Sequence, residues 1–101
     1  MEHGQIINRI RANADRLRAK GVEHLALFGS RVRGDALPDS DLDVLVEISP
    51  DLPKFSLIDL AAVNGLIADI TGIETVAVER HMLARRPDFA RRIAGDIVEV
   101  F

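Results

Sequence analysis

Two apolar segments joined by a short polar connection constrain the fold of this chain more than any other feature. VEHLALF (22–28) and LDVLVEI (42–48) have the composition of β-strands, and only residues 29–41 lie between them. A parallel crossover needs a dozen or more residues and usually a full helix, whereas this connection is rich in glycine, proline and aspartate and has room for a short helix at most. The two strands are therefore predicted to be antiparallel, with residues 29–30 and 41–43 together at one edge of the sheet.

Helical periodicity and terminal signals predict the elements around these strands. The predicted helices cover residues 2–20, the segment from the Ser56–Asp59 capping box to Ile70, and residues 87–94. After breaks at Pro50 and Pro53, a third strand is predicted over 73–78, and residues 97–101 are either a short final strand or a docking tail. The expected fold class is α/β (α+β), with a small mixed sheet of three or four strands packed with helices. The predicted order is helix, strand, short turn or helix, strand, helix, strand, helix.

Composition places the chain among small globular domains. Its 101 residues suffice for one core, so a single domain over 1–101 is expected, and 48% apolar residues exclude a disordered chain. The sequence has no cysteine, no apolar run near the roughly 20 residues that span a bilayer, and no signal-peptide pattern at its start. A cytoplasmic location without membrane binding is therefore expected. A net charge of −3 and the lack of tyrosine and tryptophan argue against general nucleic-acid binding.

Two aspartates open the second strand at a spacing that puts both side chains on one side. Residues two apart in a strand point the same way, with Cα atoms about 6.5 to 7 Å apart, so Asp41 and Asp43 project together. Unpaired carboxylates at this distance raise each other's pKa and destabilise the fold unless a cation lies between them. Oxygen ligands without cysteine or clustered histidine favour Mg²⁺ or Mn²⁺, with waters or substrate phosphates in the remaining positions. A magnesium-bound nucleotide is predicted, although DSDLD alone is also typical of a strand-entry turn.

The GSRVRG segment after the first strand supplies complementary anion-binding groups. Gly29 allows the backbone to approach a phosphate closely, and Ser30 adds a hydroxyl donor at the start of a short helix. Arg31 and Arg33 are then predicted to reach phosphate oxygens. Taken alone, the segment is equally typical of an ordinary polar turn.

Both motifs together resemble a known enzyme superfamily. Gly29-Ser30, ten intervening residues, and then Asp41-Leu42-Asp43 are similar to the signature of the polymerase-β-like nucleotidyltransferases. The forms FGSRVRG and DSDLDVLVE resemble its minimal nucleotidyltransferase (MNT-domain) branch, the antitoxin half of HEPN/MNT toxin–antitoxin pairs. The resemblance extends over roughly residues 5–100, with its motifs concentrated in Phe28 to Glu47.

The resemblance implies a third carboxylate that joins the aspartate pair in holding two Mg²⁺ ions, with ATP as substrate. Glu74, predicted inside an otherwise apolar strand, is the best match, because burying an unpaired charge there would cost several kcal/mol. The family usually has aspartate at this position, so the geometry of nucleophile activation is in question. Glu74 at a solvated strand edge stays open as an alternative, and Glu79 is a weaker candidate.

The resemblance also implies a role and a partner. The implied role is the antitoxin of a type VII-like pair, a protein adenylyltransferase that moves AMP from Mg-ATP to a tyrosine of the HEPN ribonuclease toxin in a heteromeric complex. Arginines at positions 85, 86, 91 and 92 either dock the toxin or form a solvated helix face. Two alternatives remain, a weakly catalytic module that neutralises the toxin by occlusion and a subunit that nucleotidylates a small molecule such as an antibiotic.

Overall fold

The structure, a computed structural model, describes residues 2–52 and 54–101 and alternates helices with strands. The helices are α1 (His3–Ala12), α2 (Ala14–Ala19), α3 (Ser30–Arg33), α4 (Leu57–Thr71) and α5 (Pro87–Ile93). The strands are β1 (Val22–Phe28), β2 (Leu42–Ile48), β3 (Thr75–Glu79) and β4 (Val98–Glu99). Two 3₁₀ helices, Arg80–Arg85 and Ala94–Asp96, precede and follow α5. No helix of the described residues is long and apolar enough to cross a membrane.

The sheet is mixed and has the strand order β3-β2-β1-β4. β1 and β2 are antiparallel, as the short connection predicted, and their register pairs Phe28 with Asp43. β3 runs parallel to β2, and β4 pairs antiparallel with Ala26 and Leu27 of β1. The predicted mixed sheet is therefore confirmed, and residues 98–99 form the short final strand rather than a docking tail.

Apolar layers cover both faces of the sheet, and they differ in thickness. The thicker layer packs α1, α2 and α4 on one face; its fully buried members include Ile6, Ile10, Leu17, Val44, Val63 and Ile67. On the other face, α5 and the preceding 3₁₀ helix cover a smaller cluster of four buried residues, Ala26, Phe28, Leu45 and Ile93. Successive residues of β2 point to opposite faces, so Val44 enters the thicker layer and Asp43 lies on the face of the thinner one.

The predicted first helix over 2–20 is wrong in one respect, because the chain breaks at Asn13. The Asn13 side chain donates to the carbonyl of Arg9 at 2.9 Å and accepts from Arg16 at 3.1 Å. These bonds compete with the helical backbone pattern, as asparagine side chains commonly do. Two helices that meet at Asn13 therefore replace the single predicted one.

Boundaries of the later elements shift by one or two residues from the prediction. The Ser56–Asp59 capping box begins α4 as predicted, with Asp59 N–H donating to Ser56 Oγ at 3.2 Å. The third strand begins at Thr75 rather than 73, because Ile73 N–H donates to the hydroxyl of Thr71, the last residue of α4. The last helix ends at Ile93 rather than 94 and continues as a 3₁₀ turn. The break predicted at Pro53 lies outside the described residues.

Candidate active site

Gly29 is packed directly against Asp43 where β1 ends and β2 begins. Its backbone has φ +83° and ψ −158°, a combination that essentially only glycine adopts. A Cβ atom at this position would lie 2.3 Å from Asp43 Oδ2, far inside van der Waals contact. The backbone of the glycine–serine turn therefore approaches a carboxylate as closely as a glycine permits, which brings the two predicted motifs together.

The short helix α3 begins directly after Gly29, so its first residue lies at the same junction of β1 and β2. Val32 and Arg33 both donate their N–H groups to the carbonyl of Gly29 at 3.1 Å. The N–H groups that precede them in a helix have no intrahelical acceptor. Ser30, half-buried, is the first residue of α3 and so contributes both a hydroxyl and such an N–H group beside Asp43.

A pocket of about 390 Å³ opens at this junction. Its lining consists of Phe28, Gly29, Ser30, Arg33, Asp43, Phe89, Arg92 and Ile93. Phe89 packs edge-on against Phe28 with ring centroids 5.8 Å apart, and the guanidinium of Arg92 lies 5.8 Å from the Phe89 ring. The pocket thus combines an apolar aromatic wall with cationic groups and one carboxylate.

A larger groove of about 710 Å³ lies between the start of α1 and the connection after α3. It touches Arg31 but neither aspartate nor Ser30. The smaller pocket is therefore the candidate active site, because Ser30 and Asp43 both line it.

Electrostatics at Asp43 agree with the repulsion expected from sequence. Partial burial raises the pKa of Asp43, the charge of Asp41 raises it further, and Arg33 acts in the opposite direction. Asp41 itself is exposed. Arg33 is also held by Asp35 and Asp96, whose carboxylates accept its hydrogen bonds at 3.1 and 3.0 Å. The Asp43 carboxylate is therefore harder to ionise than that of a fully exposed aspartate.

Arg31 binds backbone carbonyls of the connection in this structure. Its Nη2 donates to the carbonyl oxygen of Ser40 at 2.6 Å and to that of Pro38 at 3.4 Å, while Nε donates to Ser40 at 3.2 Å. The guanidinium thereby ties α3 to the segment that leads into Asp41. A direct contact of Arg31 with phosphate stays a prediction, and the observed bonds give it a positioning role.

Replacing Arg31 with lysine is expected to loosen this segment, because an ammonium cannot reproduce the planar two-nitrogen contact. The loss of charged hydrogen bonds should lower the free energy of unfolding by about 1–2 kcal/mol. Amide hydrogen exchange of residues 35–41 should accelerate. Urea unfolding and exchange mass spectrometry measure both effects, with exposed Arg85→Lys as the control. Equal stability and exchange in the two variants would remove the positioning role.

Glu74 lies one residue before β3 and is exposed, so the prediction that it lies inside the third strand is wrong. Its carbonyl accepts from Leu42 N–H at 2.8 Å, and Leu42 pairs with Thr75 in the parallel register. One step back in that register, Glu74 is the neighbour of Asp41 at the strand entrance. The structure thus matches the alternative of a solvated strand edge, and a ligand role for Glu74 stays a prediction.

Val76 occupies the strand position beside Asp43, and it is 45% exposed. The weaker candidate Glu79 pairs with Val46 near the opposite end of β2, and its carboxylate lies 3.8 Å from His81. Glu79 is therefore not part of the pocket. Within residues 2–52 and 54–101, no three acidic or histidine side chains lie together in a way that could hold a metal ion.

The aspartate pair by itself fits a hard divalent cation. Mg²⁺ is commonly held by one or two carboxylates, with substrate phosphates and waters completing its octahedron. Asp41 and Asp43 supply such carboxylates, and the pKa of Asp43 is raised by partial burial first and by the charge of Asp41 second. Ser30, the predicted hydrogen-bond donor to phosphate, lines the same pocket as Asp43.

Sequence reasoning missed the aromatic and cationic wall of the pocket. Phe89 and Arg92 belong to α5, more than forty residues beyond Asp43. The only signal in the sequence was the density of arginines near the end of the chain, and it carries no information on which face of the helix meets the pocket.

The family model for the nucleotidyltransferase domain matches residues 7–100. The chain belongs to this family. Over 54 residues the nucleotidyltransferase domain is 44% identical to protein adenylyltransferase MntA of Thermococcus cleftensis, a match that covers 50% of this chain. The chain spans about half of that curated relative, since the match covers 54% of its length.

Solved structures share the fold. The structure of a minimal nucleotidyltransferase superposes with a TM-score of 0.73 at 26% identity, covering 97% of this chain and 95% of that one. A chain from the tri-AMPylated Shewanella oneidensis HEPN toxin in complex with its MNT antitoxin gives a TM-score of 0.62 at 12% identity, covering 94% and 71%. The second likeness concerns the fold alone.

Proposed function

We propose that the chain is a protein adenylyltransferase that moves AMP from Mg-ATP to a hydroxyl group of a partner protein. The observation that carries the proposal is the contact between Gly29 and Asp43, which sets hydrogen-bond donors for phosphate and the Asp43 carboxylate around one pocket, two residues along the chain from Asp41. Membership of the nucleotidyltransferase family and the similarity to MntA support it.

All the predicted site residues except Arg31, which positions the segment that leads into Asp41, have a direct role in this proposal. Ser30, with the neighbouring Gly29 backbone, binds the β- and γ-phosphates, and Arg33 faces them from the pocket rim. Asp41 and Asp43 would hold the divalent cations, two Mg²⁺ or Mn²⁺ by family resemblance, and bound cations would neutralise the charge that develops on the α-phosphate. Glu74, beside Asp41 at the strand entrance, takes the proton of the attacking hydroxyl.

The reaction is an in-line displacement on phosphorus. The acceptor oxygen forms a bond to the α-phosphorus, and the bond from that phosphorus to the bridging oxygen of the β-phosphate breaks. Pyrophosphate leaves with the bonding electrons, and the acceptor proton passes to the carboxylate base. The product is an AMP ester of the partner.

We further propose that the acceptor is a tyrosine of a cognate HEPN ribonuclease toxin and that this chain is its antitoxin. One chain of similar fold comes from a complex that contains a tri-AMPylated HEPN toxin and an MNT antitoxin. Exposed arginines of α5 give this chain a cationic surface next to the pocket. An added AMP brings bulk and negative charge, which would hinder RNA phosphates from binding the toxin.

The proposal is tested by the intact mass of the partner. Co-expression with the protein of the neighbouring gene, followed by incubation with Mg-ATP, should add a mass of one AMP for each modified hydroxyl. The Asp41→Ala/Asp43→Ala double variant is the matched control and should leave the mass unchanged. A bound partner that gains no AMP with the wild-type chain would refute the transfer activity.

Exposed Glu74 and the apolar Val76 beside Asp43 favour one second candidate, neutralisation by occlusion. In that case the chain covers the toxin surface and catalysis is weak or absent. Cell survival separates the candidates: the double aspartate variant protects as well as wild type if occlusion suffices, and fails to protect if adenylylation is required.

A further inference from the structure

The outward face of α4 is apolar along most of its length. Leu57 and Ile58 are 84% and 82% exposed, and the small residues Ala61, Ala62 and Gly65 continue the same exposed face. The inward face is apolar as well, with Val63, Leu66, Ile67 and Ile70 buried against the sheet. A helix that is apolar all round is normally covered on both sides. This helix is covered on one side by its own chain.

The exposed face begins with two large side chains, Leu57 and Ile58, and continues as a shallow groove over Ala61, Ala62 and Gly65. Ile58 and Gly65 lie near the centre line of the face, two turns apart. The space above Gly65 is open, because a Cβ atom placed there would meet nothing within 4 Å. A large side chain from a second helix could therefore lie against the backbone at Gly65.

We propose that this face pairs with the same face of a second copy of the chain, with the two α4 helices antiparallel and the two-fold axis between Ala61 and Ala62. In this register Ile58 of each subunit lies over Gly65 of the partner subunit. Ala61 meets Ala62 of the partner subunit at the axis, where small side chains allow close approach. The large side chains of one α4 helix thus fit the small positions of the other, and the same face serves on both subunits, as a two-fold interface requires.

Charge complementarity supports a second copy as the occupant. Exposed Lys54 lies two residues before Ser56, the N-cap of α4, and exposed Asp69 lies in the last turn of the helix. Antiparallel pairing brings Lys54 of each subunit to Asp69 of the partner subunit at both ends of the contact. A parallel arrangement would instead place like charges together at each end.

The proposed contact leaves the candidate active site accessible. α4 packs on the thicker layer of the sheet, whereas Asp43, Phe89 and Arg92 lie on the opposite face. The two pockets of the dimer therefore point away from each other. One helix face is a small interface, so association should be concentration-dependent with a dissociation constant in the roughly micromolar range.

Sedimentation equilibrium of the wild-type chain measures this association directly. Ile58→Asp should weaken dimerisation at least about tenfold, because it removes the central apolar contact and places a charge over an apolar groove. Leu37→Asp is the matched control, since Leu37 is an exposed leucine (66%) on a different surface, and it should dimerise like wild type. Thermal unfolding of both variants establishes that the monomer fold is intact.

The charged ends permit a test of orientation. Lys54→Asp and Asp69→Lys should each weaken self-association by roughly three- to tenfold, because both ends then carry like charges. Mixing these two variants should restore dimers, since a heterodimer of the two again pairs opposite charges at both ends of the contact. Failure of the mixture to form heterodimers would overturn the antiparallel register.

The lack of cysteine allows a covalent test. Ala61→Cys should form a disulfide-linked dimer under mild oxidation, whereas Asp15→Cys, with its fully exposed side chain on α2, should not. Two outcomes would overturn the proposal. One is a wild-type chain that stays monomeric up to about 1 mM. The other is an introduced thiol of the Ala61→Cys variant that links to a co-expressed different protein in preference to a second copy of the variant.

Discussion

Asp43→Asn is expected to abolish nucleotidyl transfer while leaving the fold as stable as before or more stable. The amide keeps the shape of the side chain but lacks the charge that would hold a divalent cation, and loss of such a ligand should slow transfer at least about a thousandfold, or about 4 kcal/mol in activation free energy. Transfer of AMP measured by partner mass, together with urea unfolding, checks both parts. The matched control is Asp39→Asn, an exposed aspartate of the same connection, which should retain activity.

The stability part of this prediction depends on pH in a definite direction. The pKa of Asp43 is higher in the folded chain than in the unfolded chain. The protonated side chain therefore favours folding fully at pH values below the unfolded-state pKa, and this stability is lost as pH rises through the folded-state pKa. Asparagine imitates the neutral form at every pH. Without divalent cations, the stability gain of Asp43→Asn should therefore be largest at neutral pH and vanish in acid. A gain that instead grows toward low pH would contradict the described repulsion.

Gly29→Ala is expected to damage both stability and activity. The substitution forces a side chain into a backbone conformation with φ +83° and places Cβ 2.3 Å from Asp43 Oδ2. The backbone strain and the displaced carboxylate should together lower the free energy of unfolding by about 2–4 kcal/mol. Transfer activity should fall to background, because Asp43 must leave the pocket. Chemical denaturation and the partner mass assay measure the two losses.

Gly4→Ala is the matched control for this substitution. Gly4 lies in α1 with open space around it, so alanine there should stabilise the chain by about 0.5–1 kcal/mol. A double variant, Gly29→Ala/Asp43→Ala, identifies the clash, because removing the Asp43 carboxylate removes the atom nearest to the new Cβ. Its stability loss should be smaller than the sum of the two single losses. Additive losses would assign the whole effect to backbone strain.

Short sequence patterns predicted the parts of the fold that depend on contacts between residues close together in the chain. The antiparallel pair follows from the length of the connection at 29–41, and the start of α4 follows from the Ser56–Asp59 capping box. Gly29 and Asp43 are brought together by that same hairpin, so the core of the candidate site could be inferred without long-range information. The predicted sheet has three or four strands, and the pairing of Val98 and Glu99 with β1 makes it four-stranded.

Features that depend on distant or side-chain contacts could not be predicted in this way. Asn13 interrupts a helix whose apolar spacing continues without change, because the break comes from its own side-chain hydrogen bonds. Arginine is a residue type that commonly binds phosphate, but the guanidinium of Arg31 donates to the backbone carbonyls of Pro38 and Ser40. The apolar residues around Glu74 predict a position inside the third strand, whereas strand pairing begins one residue later. The contribution of Phe89 depends on how α5 docks.

The hairpin register has a consequence for the order in which this protein folds. Both halves of the candidate site belong to strands joined by the short connection at 29–41, so their contact requires closure of a short loop only, an event of microseconds. β4, in contrast, pairs with β1 only after roughly seventy intervening residues are in place. We expect the glycine–carboxylate contact to be formed early in the folding nucleus and the closing strand to add last.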